Sequence, residues 1–215
     1  MSAQGGRSGR RDEEEGEGEA PPALGGRALR GWRQLRCGGC GLPEAVCVCA
    51  TLPRLPVRTR VAVVMHRIEA VRSTNTGRLV RAMLEGASVR VRGGREDHAA
   101  EVPAGRRIVL FPREDARPLT RDDAGDDLTL VVPDGTWAQA RRIARRDPLA
   151  QGAEAVSLPE ATSAYGLRRN PRPGALCTVE AVIEALRVLE PETDLSAMEA
   201  AFARWRDASL ALRGA

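Results

Sequence analysis

Four cysteines stand within thirteen residues, as Cys37-x-x-Cys40 and Cys47-x-Cys49, in a chain with only five. Thiolates are soft ligands, and four of them form a closed tetrahedral zinc site with no position left for catalysis. Gly41 permits the tight turn that aims backbone N–H groups at sulfur, and Arg36 and Arg54 supply nearby positive charge. An iron–sulfur cluster is the alternative use of such a set. Cys177 stands apart, ahead of a helical pattern, and reads as packing.

Three further segments carry chemistry-bearing residues. Asp134-Gly135-Thr136-Trp137 follows the apolar run Leu128–Val132 and Pro133. That is a strand-to-helix junction, where α/β proteins bind ligands and a helix start offers free N–H groups to an anion. Asp134 suits a base or a substrate ligand. Capping by Asp134 or Thr136 and core packing by Trp137 are the plainer readings. His66-Arg67-x-Glu69, then Ser73-Thr74-Asn75-Thr76-Gly77, repeats the arrangement after Val61–Met65. The third segment is Ser163-x-Tyr165-x-Leu167-Arg168-Arg169-x-Pro171, followed by Thr178-x-Glu180-Ala181. An aromatic face can stack on a base, and guanidinium groups pair with phosphate or carboxylate. Thr178 reads as an N-cap, with Glu180 favoured by the helix dipole.

The elements that must position these residues follow from periodicity. Strands are expected at 61–65, 88–91, 108–111, 128–132 and near 155–158. Helices are expected at 76–85, 137–146, 178–190 and 194–213. Alternating strands and helices imply an α/β domain on a mostly parallel sheet. Residues 1–30, rich in Gly, Glu, Arg and Pro, read as a disordered tail. Residues 31–56 read as a zinc-binding module built on the four clustered cysteines, and 57–213 as the α/β domain.

The net charge is +4, all 33 basic residues are arginine, and aromatics are sparse. A GC-rich coding bias accounts for much of that arginine, so a phosphate-bearing partner is allowed but not demanded. No stretch approaches the roughly 18 apolar residues of a membrane span, and the N-terminus lacks a signal-peptide core. A cytoplasmic protein is expected, with reduced cysteines and no obligate protein partner evident.

The cysteine spacing, H-x-x-E followed by T-N-T-G, D-G-T-W after a strand, and S-x-Y-x-L-R-x-x-P followed by T-x-E-A together resemble the DTW-domain family. The match runs from about Cys37 to Leu189, with one residue inserted in the name-giving Asp-Thr-Trp. The resemblance implies a knotted, SPOUT-like α/β fold and a tRNA-uridine aminocarboxypropyltransferase. Such an enzyme moves the 3-amino-3-carboxypropyl arm of S-adenosylmethionine to uridine N3, in bacterial members in the variable loop, and releases methylthioadenosine. On that implication Asp134, then Glu69, is the candidate base. Thr74, Asn75, Gly77, Thr136, Trp137, Ser163 and Arg168 hold the cofactor, and Tyr165 and Arg169 meet tRNA. The rival readings are a SPOUT-type RNA methyltransferase and a non-catalytic zinc-bearing RNA-binding module.

Overall fold

A computed structural model of the chain describes residues 35–93, 102–159, 162–167 and 175–214. The expected tail and the arginines at 168 and 169 lie outside the described residues.

Val61, Val63 and Val64 are fully or almost fully buried in β1 (Arg60–His66), because helices cover both faces of the sheet. The strand's alternation divides the core. Val61 and Val63 pack with α2 (Gly77–Met83), α4 (Thr178–Leu189) and α5 (Ser196–Gly214). Ala62 and Val64 pack with α3 (Trp137–Arg146). Each fully buried Val or Leu contributes on the order of 1.5–3 kcal/mol. The remaining strands are β2 (Ser88–Arg92), β3 (Arg107–Leu110), β4 (Arg117–Pro118), β5 (Thr129–Asp134) and β6 (Glu154–Ser157); α1 is a single turn, Arg67–Ala70. All strand pairs are parallel, in the order β2-β1-β5-β3-β6-β4.

β1 and β5 lie side by side at the centre, with Met65 opposite Asp134. From β1 the chain passes to β2 on one side; from β5 it passes to β6 on the other. The two carboxyl ends therefore flank a topological switch point, the crevice where ligands bind in open α/β sheets. Pro133 does not end β5, as the sequence suggests. The strand runs through it to Asp134, because pairing with β3 stops at Val131 and only β1 continues alongside. There the missing N–H is tolerated.

The cysteine segment is not a separate body. Cys40 and Leu42 are buried in the larger core cluster, with Leu52 and Leu55 against it. The fully buried Trp205 of α5 donates from Nε1 to the Cys40 carbonyl at 2.8 Å.

Ion pairs fasten the edges. Glu190, at the end of α4, accepts from the N–H groups of Arg58 and Thr59 at 3.1 and 2.7 Å and so pins that helix to the start of β1. Asp123 accepts from Arg117 at 2.5 Å and from Arg106 at 2.6 Å beside β4. Arg117 first, then the Thr120 N–H and Arg106, outweigh burial and hold the Asp123 carboxyl well below the usual range. A depressed carboxyl stabilises the fold above its unfolded pKa of about 3.9 and loses that contribution as pH falls towards its folded value. Acid titration of the melting temperature should therefore show a decline below about pH 4 that is shallower in Asp123→Asn. At neutral pH the variant should be the less stable protein.

Candidate functional site at the carboxyl end of the sheet

Asp134, the last residue of β5, is 7% exposed at the switch point. Its two oxygens are held from two different elements. Oδ2 accepts from Asn75 Nδ2 at 2.6 Å, and Oδ1 accepts from the Thr178 hydroxyl at 2.7 Å. Asn75 is fixed in turn, since its Oδ1 accepts from the Arg78 N–H at 3.3 Å. The T-N-T-G, D-G-T-W and T-x-E-A segments thus meet at one carboxylate.

Gly77, the first residue of α2, has its role set by space. A Cβ there would lie 2.5 Å from Asp134 Oδ2 and 3.0 Å from Met65 Cε. Only glycine lets the helix approach the carboxylate this closely. Gly77→Ala should therefore push Asp134 off its two donors. Turnover is expected to fall about 10–10²-fold, since small displacements of a positioned group are costly to rate. The melting temperature should fall only moderately; unchanged steady-state rates would show that the close approach is not needed.

The third segment supports the first two. Glu180, in the first turn of α4, accepts from the Ser163 hydroxyl and the Ala164 N–H, each at 2.6 Å, and from the Cys177 N–H at 2.8 Å. Tyr165 donates its hydroxyl to the Thr74 carbonyl at 2.5 Å. Its ring is 7% exposed and lies parallel to Trp205, with centroids 6.4 Å apart. The stacking on an RNA base expected of Tyr165 does not fit this placement. An aromatic ring beside two arginines reads as a surface feature until the core partner, forty residues further on, is known.

Thr136, not Asp134, caps α3. Its hydroxyl accepts from the Gln139 N–H at 3.4 Å while Gln139 Oε1 accepts from the Thr136 N–H at 2.7 Å, a reciprocal box. Trp137 leans on Phe111 at the end of β3, with centroids 5.0 Å apart. Glu69 is buried on α1 with its Oε1 3.3 Å from Arg72 Nε. Burial pushes the Cys177 thiol up to about 12, which leaves it inert as a nucleophile at neutral pH.

Two contributors were given no role in the site from the sequence. His66 ends β1 and caps α1, its Nδ1 accepting from the Ile68 N–H at 3.3 Å. Burial, then Arg67 and Arg142, hold it below its ordinary pKa. With Nδ1 accepting, Nε2 is the other ring nitrogen and lies towards Gly93, while the His66 Cβ faces the turn at Gly135. Arg78, in a helix that reads as half-exposed, is instead buried and donates to the Ala70 and Arg72 carbonyls at 2.8 and 3.1 Å. No local signal marks it.

The cysteine cluster abuts this loop. Gly41, at φ 77°, passes so close that a Cβ would stand 2.9 Å from the Ser73 carbonyl. All four sulfurs lie within 4.8 Å of one another. Cys37 and Cys49 are 3.5 Å apart, and Cys40 and Cys47 3.7 Å. A tetrahedral ion with bonds of about 2.3 Å separates its sulfurs by about 3.8 Å, so the set fits zinc. The Cys49 N–H points at Cys47 Sγ at 3.5 Å. Burial opposes ionisation of Cys37, but N–H groups and neighbouring thiols bring it to about 7, whereas burial and the other sulfurs push Cys49 well up. Thiols that cannot all ionise alone are what a divalent cation reconciles.

Fold and site define an α/β protein with an all-parallel sheet, a buried carboxylate at the switch point and a four-cysteine cluster packed against the loop that holds it. The family model for the DTW domain matches residues 34–210, and the chain belongs to that family. A Drosophila melanogaster protein named tRNA-uridine aminocarboxypropyltransferase 2 is 32% identical over 175 residues, covering 76% of this chain and 70% of its own. The mouse protein of that name is 29% identical over 208 residues, covering 83% and 70%. An Arabidopsis thaliana tRNA-uridine aminocarboxypropyltransferase A is 26% identical over 196 residues, covering 74% of each chain. No solved structure gives a significant match. Among the described residues, no helix is long and apolar enough to cross a membrane.

Proposed function

We propose that this chain is a cytoplasmic tRNA-uridine aminocarboxypropyltransferase. It transfers the 3-amino-3-carboxypropyl group of S-adenosylmethionine to N3 of a uridine, in the tRNA variable loop, and releases methylthioadenosine. The observation that carries this reading is the convergence of three family segments on Asp134, in a chain whose relatives bear that name. In the reaction the bond between sulfur and the γ-carbon breaks, and its electron pair stays on sulfur as the neutral thioether. The new bond forms between N3 and that carbon, and the N3 proton leaves to a base. The sulfonium carries the reactivity, so the protein's work is orientation and proton removal.

Asp134 is the base or the group that orients the uridine, with Glu69 second. Its donors, Asn75 and Thr178, favour the charged form and fix its direction. The methionine end of the donor lies along Thr74–Gly77 and Ser163, with Thr136, Trp137 and Arg168 completing the pocket and Arg169 meeting RNA. Zinc on Cys37, Cys40, Cys47 and Cys49 is structural and braces the loop that carries Asn75. The SPOUT-like class and the knot belong to this proposal; the all-parallel sheet, and the tether from Tyr165 back to Thr74, support them.

Incubation of the protein with S-adenosylmethionine and unmodified tRNA, followed by chromatography of both products, tests the proposal. Methylthioadenosine and an aminocarboxypropyl nucleoside are expected. S-adenosylhomocysteine with a methylated nucleoside would establish the methyltransferase reading instead, and no turnover with intact tRNA binding would favour a binding module.

A further inference from the structure

The outer face of α3 is built from Arg141, Arg142, Arg145 and Arg146, all exposed, while Ala140, Ile143 and Ala144 face the core. The helix contains no acidic residue. Arg145 and Arg146 suit the negative end of the helix dipole, but Arg141 and Arg142 stand too early for that. The pairs 141/145 and 142/146 are like charges one turn apart, which repel. Elsewhere arginines commonly sit on acids: Arg58 on Glu192, Arg117 on Asp123 and Glu154, Arg187 on Glu184, Arg206 on Asp207. Among the described residues no acid forms an ion pair with any of the four on α3. A helix that merely faced water would interleave acids here.

The stripe starts at the crevice. Trp137, the first residue of α3, follows Asp134 by three positions, and the ten-residue helix then runs about 15 Å across the face of the sheet. At the crevice end Arg142 is near enough to His66 to disfavour its protonation, and so is Arg67, exposed at the start of α1. Gly93 brings both side chains together: a Cβ there would stand 3.6 Å from Arg67 Cδ and 3.6 Å from His66 Nε2. One continuous cationic arc therefore runs from beside Asp134 along α3.

We infer that this arc is the track on which the phosphates flanking the target uridine lie, with α3 presenting Arg141, Arg142, Arg145 and Arg146 to the RNA backbone. The inference rests on the reading of the substrate as RNA. Guanidinium groups match phosphate oxygens bidentately. α3 carries no acid of its own to compete, and Asp115 and Glu154, which line the same depression as Arg145, are already held by Arg113 and Arg117. Contacts of this kind position the strand without reading its sequence, so the crevice retains the choice of uridine.

The test uses the full chain carrying Arg141→Gln and Arg145→Gln, two residues away from the crevice. Glutamine keeps the helix propensity and the length but removes charge. Affinity for unmodified tRNA is measured by titration at several salt concentrations, independently of turnover. Removing two phosphate contacts should weaken binding roughly tenfold or more at low salt and lower the slope of log K against log salt by about two. Melting temperature, S-adenosylmethionine affinity and kcat at saturating tRNA should stay near those of the parent. Arg121→Gln, on the far side of the sheet beside β4, should change none of these. Unchanged affinity and slope in the folded double variant would overturn the inference, as would an equal loss from Arg121→Gln, which would mean that affinity follows net charge. Loss of binding to anionic vesicles with tRNA binding intact would also overturn it. Failure of the parent to release methylthioadenosine would count against the proposed reaction alone, because the binding measurement stands without it.

Discussion

Asp134→Asn is expected to lower turnover on the order of 10²–10⁴-fold, the range associated with loss of a positioned base. The substitution is mild for the fold. Asparagine keeps an oxygen for the Asn75 amide, and its new amide can donate to Thr178, whose hydroxyl can turn to accept. What disappears is negative charge and basicity at the head of β5. Helix capping does not confuse the outcome, because Thr136 and Gln139 cap α3 between them. Methylthioadenosine release gives the rate, and calorimetric titration gives the donor affinity. A large loss of rate with affinity held marks the base or the group orienting the nucleophile. Joint loss of rate and affinity marks a ligand of the donor's ammonium group. Near-normal turnover would remove Asp134 from the chemistry and promote Glu69, buried one helical turn from the end of β1.

The strands and long helices were legible because their apolar patterns are strong: α3 has the expected bounds, and β1, β3 and α4 differ by a residue or so. α1, with four residues, and β4, with two, carry too little pattern to be seen. Asp134 could be singled out because a polar residue after an apolar strand is a local signal. What held it was only half visible. Asn75 and Thr178 lie in motifs that could be named, but 59 and 44 residues away, and no spacing rule joins them to Asp134. Glu180 read as a dipole-favoured first-turn acid, and it does sit there; its grip on Ser163 and Ala164 needed the folded loop. Tyr165 misled for the same reason. Composition next to it suggested a surface, while its hydroxyl partner is 91 residues back. Long-range pairing decided each case that local chemistry left open.

Cys40→Ser should release the metal and destabilise far more of the protein than the cysteine segment. Cys40 is fully buried, and its sulfur is one of four within 4.8 Å. A serine hydroxyl is a poor soft-metal ligand, and three remaining thiols hold zinc far less well than four. Binding free energy at a structural zinc site is folding free energy, so the loss is large. It spreads because the cluster is stitched to the core. The Cys40 carbonyl accepts from Trp205 Nε1, Leu42 is buried against the main cluster, and Gly41 lies on the Ser73 carbonyl. The turn at Ser73 leads directly into Thr74 and Asn75, so loosening the cysteines should also free the amide that holds Asp134. Elemental analysis should give about one zinc per parent chain and almost none in Cys40→Ser, with a visible absorption band absent in both. Thermal melting should shift down by many degrees, and activity should fall with it. The exposed Cys47 offers the sharper comparison, since Cys47→Ser removes a ligand without placing a hydroxyl in the core. If Cys47→Ser loses its zinc yet melts like the parent, the metal does not brace the fold. Equal collapse of both variants, prevented in neither by added zinc, is the result that a structural metal requires.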